Sequence, residues 1–145
     1  MLLQFRGSHL SMPIYNKHFT LKEARGWIPE LRLKYARIQE LYLETEDLQA
    51  DYKRVKDRIQ QNGHAPKVSG FEKQVEALNS EIKEIVDAGI EIKDIVRGLI
   101  DFPAMRNGDE VFLCFELSDP DIVFWHRIED GYMGRTPILE DQFVL

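Results

Sequence analysis

The chain has 145 residues, a mass of 17.0 kDa and a formal net charge of −6. This length fits one domain, and a hydrophobic content of 43% excludes a disordered chain. The net negative charge argues against a protein whose main task is to hold nucleic-acid phosphates, and no apolar run approaches the roughly 20 residues of a membrane span. The sequence therefore predicts a soluble protein that binds neither nucleic acid nor membrane.

Cysteine and histidine spacing indicates neither a disulfide scaffold nor a metal framework. Cys114 is the only cysteine, and no CxxC or HxxxH pattern is present. We therefore predict no metal site, no cofactor and a cytoplasmic location. Residues 1–19 are predicted to be an N-terminal extension, and the first eleven could come from an upstream start or an added expression sequence.

The first predicted element is a long helix over residues 20–61. Thr20 and Glu23 have the spacing of a capping box, and apolar residues then recur every three or four positions, close to the spacing of a coiled coil. Pro29 removes the hydrogen bond to the carbonyl of Arg25, which predicts a kink near residues 25–29. Two separate helices are the alternative.

A second, shorter helix is predicted to pair with the first. Ser69 and Glu72 repeat the capping-box spacing, the apolar periodicity runs from Phe71 to Ile85, and Gly89 is a candidate C-cap. The two helices form an antiparallel helical hairpin over residues 20–88. Part of this hairpin is expected to protrude, because about forty helical residues exceed the diameter of a small globule.

The last third, residues 89–145, has the period and composition of a β-sheet. Strands are predicted at 97–102, 110–117 and 121–127, with an extended lead at 90–92 and an irregular loop at 131–137. Asn107-Gly108 and Asp119-Pro120 are the predicted turns. The predicted fold is a single α+β domain over residues 20–145, in which the helical hairpin packs on a small antiparallel β-meander.

Strand register decides which polar side chains can meet. A two-residue turn at Asn107-Gly108 pairs Asp101 with Cys114. A turn centred on Asp119-Pro120 pairs Trp125 with Cys114, which places His126 on the opposite face from Asp101. This register argues against an Asp101–His126 acid/base pair, unless a bulge at Pro103 turns Asp101 to the other face.

Four residues are the candidate ligand-binding residues: Asp101, Trp125, His126 and Arg135. Asp101 and His126 could act in acid/base chemistry, and the Arg135 guanidinium could bind a carboxylate or phosphate. The structural alternative for Asp101 is an ion pair with Arg135 or Arg97, and for His126 a hydrogen bond to the backbone. Cys114 is expected to be a small buried apolar residue. No catalytic residue is identified.

Seven blocks together resemble a family of uncharacterised bacterial proteins, domain of unknown function 2203. The resemblance extends over about residues 18–139, with Phe115 where the family more often has Trp. It implies a small bacterial cytoplasmic protein without an established activity. The blocks are 19–24 (FTLKEA), 28–31 (IPEL), 89–94 (GIEIKD), 98–104 (GLIDFPA), 111–114 (VFLC), 124–126 (FWH) and 131–137 (GYMGRTP).

The predicted function is a non-enzymatic interaction or assembly module. Its helical hairpin would contact a protein partner or a second copy, because an acidic band at residues 40–51 precedes a basic band at 53–58. A solvated helix face is the simpler explanation of these charges. The alternative function is a small-ligand-binding protein or an enzyme, with a pocket between the sheet and the first helix.

Overall fold

The computed structural model describes residues 12–62, 70–139 and 143. The chain divides into two compact units, Leu33–Glu84 and a second unit made of Met1–Arg32 and Ile85–Leu145. The described residues form three α-helices and a five-stranded antiparallel sheet, which confirms the predicted α+β class. None of the described helices combines the length and apolar composition needed to cross a bilayer.

The predicted long helix is two helices, α1 (Leu21–Gly26) and α2 (Ile28–Asn62), separated at Trp27. The alternative prediction is therefore the correct one. Pro29 has no N–H, so it cannot donate the hydrogen bond that the carbonyl of Arg25 would receive in a continuous helix. At the same point, the Trp27 N–H donates to the carbonyl of Ala24. The capping box at Thr20 and Glu23 is present as predicted.

The third helix, α3, spans Phe71–Asp87. Gly89 follows the helix two residues after its end, and its φ of +92° is the left-handed conformation expected of a C-cap glycine. Ser69 and the connection from α2 to α3 lie outside the described residues, so the antiparallel hairpin stays a prediction. Within the unit Leu33–Glu84, an ion pair joins Lys34 to Glu84.

Five strands follow in chain order and pair with their neighbours, which makes the predicted meander. Three strands were predicted, two fewer than the structure contains. The first of them was predicted to end at Phe102, whereas that strand continues through Pro103. Pro103 is tolerated in the ladder, where its carbonyl accepts the N–H of Phe19. The strands are β1 (Glu91–Asp94), β2 (Leu99–Arg106), β3 (Asp109–Glu116), β4 (Phe124–Arg127) and β5 (Thr136–Pro137).

The β2–β3 register is the predicted one. Asn107 and Gly108 both have positive φ, 51° and 87°, as a two-residue hairpin turn requires. Asp101 therefore pairs with Cys114, and no bulge occurs at Pro103, which pairs in sequence with Phe112.

The predicted β3–β4 register is wrong by one residue. Leu113 pairs with Trp125 and Phe112 pairs with His126. The connection between these strands is a seven-residue loop, 117–123, instead of a tight turn at Asp119-Pro120. Hydrogen bonds within the loop and to Gly98 hold it, so the rule for two-residue turns does not apply.

The corrected register divides the sheet into two different faces. Side chains of paired residues lie on the same face, so Leu113 and Trp125 share one face with Phe102 and Phe115. Phe19 packs edge-on against Phe102 on this apolar face. The opposite face carries the polar side chains of Asp101, Cys114 and His126, and we call it the polar face.

Candidate functional site

The polar face brings together Asp101 from β2 and His126 from β4. His126 Nε2 lies 3.1 Å from Asp101 Oδ2, and the side chains reach each other across the intervening strand β3. Both residues are buried, with exposures of 2% and 3%. The contact between Asp101 and His126 that the predicted register argued against is therefore present, and the expected ion pair of Asp101 with an arginine is absent from the described contacts.

Both imidazole nitrogens of His126 contact acceptors. Nδ1 lies 2.8 Å from the carbonyl oxygen of Arg127, so it carries a proton, and Nε2 faces the Asp101 carboxylate. Burial disfavours the charged ring, but the hydrogen bonds to Asp101 and to the backbone of Arg127 and Asp130 raise the pKa of His126 above its ordinary value. The two side chains thus form a buried, hydrogen-bonded pair.

Cys114 on β3 completes the cluster. One ligand atom from each of Asp101, Cys114 and His126 can be chosen so that all three lie within 4.8 Å of one another. Burial, together with the neighbouring Asp101 carboxylate, raises the pKa of the Cys114 thiol, so this sulfur is protonated at neutral pH. We call these three residues the Asp–Cys–His cluster.

One carboxylate oxygen in the cluster is unsatisfied. Asp101 Oδ1 is buried and has no hydrogen-bond partner among the described residues. A buried acceptor without a partner is costly, and the neighbouring Cys114 thiol, a water or an ion could satisfy it. The Phe112 ring packs 5.4 Å from the His126 ring, and with the Nδ1 hydrogen bond it fixes the direction of Nε2.

Trp125, predicted to share a face with Asp101, lies on the apolar face instead. Its indole packs against Phe143, and the Arg106 guanidinium stacks over it at 4.3 Å. Trp125 lines a cavity of about 610 Å³ whose lining includes none of Asp101, His126 and Arg135. The structure therefore does not place the four predicted ligand residues in one pocket.

Arg135, in the segment after β4, contacts two acidic residues and two aromatic rings. Its guanidinium pairs with Asp119 and lies 3.8 Å from a Glu116 oxygen. It also stacks over the rings of Phe124 at 4.0 Å and Tyr132 at 4.6 Å. The Arg135 guanidinium is therefore already bound by side chains of the protein itself.

Residues 14–18, which we call the N-terminal strap, pack on the polar face. Glu110 accepts the N–H groups of Ile14 at 2.7 Å and Tyr15 at 3.0 Å, and contacts His18 Nε2 at 2.8 Å. The Tyr15 ring packs edge-on against Phe112 at 5.4 Å. Sequence reasoning assigned these residues to an extension and so missed their contact with the sheet.

The sequence did contain a signal for the cluster. Asp101 and His126 each interrupt an apolar strand, and a polar residue at such a position needs a partner. Cys114 carried no signal of its own, because a cysteine between Leu113 and Phe115 is typical of an apolar core. The β2–β3 register already placed it beside Asp101, but the face of His126 depends on the β3–β4 register, which the loop length concealed.

The sequence matches one protein-family model over most of its length. Residues 17–138 match the model of the uncharacterised conserved protein family DUF2203, which confirms the resemblance noted in the sequence. The chain belongs to this family. The match to DUF2203 includes all three residues of the Asp–Cys–His cluster and Glu110. No curated protein and no solved structure matches the chain significantly.

Proposed function

We propose that the protein binds one divalent transition-metal ion, of which Zn²⁺ is the best fit, through Asp101, Cys114 and His126. The observation that carries the proposal is the buried cluster of three different ligand types, with Asp101 Oδ1 left without a partner in the described chain. Thiolate, imidazole and carboxylate together favour zinc over the oxygen-seeking ions Ca²⁺ and Mg²⁺.

The geometry requires only a small contraction around the ion. Zinc ligands at bond lengths of about 2.0 to 2.3 Å lie about 3.3 to 3.8 Å apart in a tetrahedron. The widest pair in the cluster, at 4.8 Å or less, would close by no more than about 1.5 Å. The Nδ1–H hydrogen bond of His126 to a backbone carbonyl is the usual outer contact of a zinc-bound histidine.

Charge balance also supports the proposal. A neutral imidazole, a carboxylate and a thiolate together carry two negative charges, which a divalent ion balances. The protonated Cys114 thiol would release its proton when the ion binds. A buried cluster can therefore take up the ion without leaving an uncompensated charge. The fourth position of a tetrahedral ion remains for water or an exogenous group.

The test is metal binding to the purified protein with matched variants. Equilibrium dialysis with Zn²⁺ should give one ion per chain, and Co²⁺ should produce a thiolate-to-cobalt absorption band. Cys114→Ser should abolish the band, and His126→Gln and Asp101→Asn should weaken binding at least tenfold. Asp121→Asn, a half-exposed aspartate outside the cluster, is the control. Zinc binding unchanged in Cys114→Ser would overturn the proposal.

We also propose a second function, self-association through the unit Leu33–Glu84. Two exposed leucines on α2 support it, Leu33 at 77% and Leu43 at 61%. The acidic band at 40–51 and the basic band at 53–58 would meet their opposites in an antiparallel pair of chains. The side chains at 51–53 and 55–62 lie outside the described residues, and the charges of the basic band are those of its sequence.

Light scattering at low and high salt tests self-association. A dimer is expected at low salt, and the double variant Leu33→Lys/Leu43→Lys should shift it to monomer. Met133→Lys is the control, because Met133 is an even more exposed apolar residue, at 94%, in the other unit. A monomer under all salt conditions would exclude this function while leaving the metal proposal unaffected.

A further inference from the structure

The N-terminal strap is attached to the sheet mainly through one carboxylate. Glu110 lies on β3, two residues before Phe112, and both side chains are on the polar face. Its two oxygens receive the backbone N–H groups of Ile14 and Tyr15 and contact the ring of His18. Three strap groups thus converge on a single acceptor residue.

The Tyr15 side chain lies beside the Asp–Cys–His cluster. Its ring packs edge-on against Phe112 on β3, and the Phe112 ring packs in turn on His126. Phe112 lies two residues before Cys114, so the two side chains are on the same face of β3. The strap thus covers the residue that separates it from His126 and Cys114.

We propose that the N-terminal strap is a lid on the Asp–Cys–His cluster, that Glu110 is its latch, and that release of the lid controls entry and exit of the metal ion. The inference rests on the proposed metal binding. All three cluster residues are buried, so an ion can reach them only if some covering group moves. The strap has no helix or strand hydrogen bonds of its own to break.

The reactivity of Cys114 tests the lid without any metal. Cys114 is the only cysteine, so an aromatic disulfide reagent that releases a coloured thiolate reports one site. Glu110→Gln keeps the size of the side chain but removes its charge and part of its acceptor capacity, and it should accelerate labelling at least about tenfold. Tyr15→Ala should accelerate labelling with the latch residue intact.

Glu116→Gln is the matched control. Glu116 lies on the same strand and is as buried as Glu110, with side-chain exposures of 15% and 14%, but its partners Arg97, Tyr132 and Arg135 are outside the strap. Labelling should stay within about threefold of the wild type. Equal acceleration in Glu116→Gln would mean general loosening of the sheet and would overturn the lid, provided that circular dichroism shows both variants folded.

Stopped-flow measurement of Zn²⁺ uptake, and of its release to a chelator, gives the second readout. Glu110→Gln should speed both rates by a similar factor and leave the Kd within about threefold. Unchanged labelling and unchanged zinc rates in Glu110→Gln and Tyr15→Ala would overturn the lid. If no variant binds zinc, the proposed function fails, whereas the labelling rates still decide whether the strap covers Cys114.

Discussion

His126 Nε2 and Asp101 Oδ2 lie 3.1 Å apart although their strands are not neighbours in the sheet. The contact passes over β3, at the position where Cys114 projects from the same face. A pair of charged groups in this setting is stabilised only while both partners are present, because each alone would be an uncompensated buried charge. The pair therefore couples β2 to β4 in addition to the backbone ladder.

Removal of the carboxylate should destabilise the metal-free protein. Asp101→Ala should lower the free energy of unfolding by about 3 kcal/mol, since His126 must then lose its proton or stay charged without a partner. Asp101→Asn retains an oxygen that can accept from Nε2, and should cost about 1 kcal/mol. Urea unfolding with a chelator present measures both values, and an equal loss in the two variants would contradict the ion pair.

Glu110 should make stability depend on acid pH. Burial opposes its ionisation, but the N–H donors of Ile14 and Tyr15 and the His18 ring lower the pKa of Glu110 below its ordinary value. Its contribution is therefore complete above the unfolded pKa of about 4.3 and is lost as the pH falls through the folded pKa. The stability difference between wild type and Glu110→Gln should shrink below about pH 4. A difference that stayed constant down to pH 2.5 would contradict the assignment.

Gly98 should resist substitution by alanine. Its φ is +68°, and an added Cβ would lie 2.4 Å from the Leu117 side chain. Gly98→Ala should cost about 2 kcal/mol or more in thermal or urea unfolding. Gly26→Ala is the contrasting variant, because a Cβ there meets nothing within 4 Å, and it should raise stability by about 0.5 to 1 kcal/mol.

Arg135 should matter for stability more than an exposed arginine does. Arg135→Ala leaves the half-buried carboxylates of Asp119 and Glu116 without this partner, and should cost about 2 kcal/mol. Arg37→Ala removes only an exposed contact with Glu40 at 3.7 Å, and should change stability by about 0.5 kcal/mol or less. Similar losses in the two variants would show that the Arg135 contacts contribute little.

Local rules predicted the elements whose geometry is determined by adjacent residues. The positive φ angles of Asn107 and Gly108 allow only a tight hairpin, and they determine the pairing of Asp101 with Cys114. The capping box at Thr20 is similarly local. The β3–β4 register is different, because it depends on a seven-residue loop held by the contacts of Gly98, Glu116 and Asp119.

The error of one residue in the predicted β3–β4 register determined which candidate site was predicted from the sequence. The predicted register placed His126 on the wrong face of the sheet and Trp125 on the face of Asp101. Cys114 was interpreted as an apolar core residue. The strap was missed for another reason, because residues 14–18 have no periodicity and bind the sheet through their backbone N–H groups. The sequence does not show which side chain will accept a hydrogen bond from a given backbone N–H group.

The ion pair of Lys34 with Glu84 holds together the two ends of the segment Leu33–Glu84. In sequence, this segment lies between the two parts of the strand-bearing unit. The strap, the strands and all three proposed ligands belong to the strand-bearing unit. A substitution confined to the segment Leu33–Glu84 would therefore alter none of the three proposed ligands.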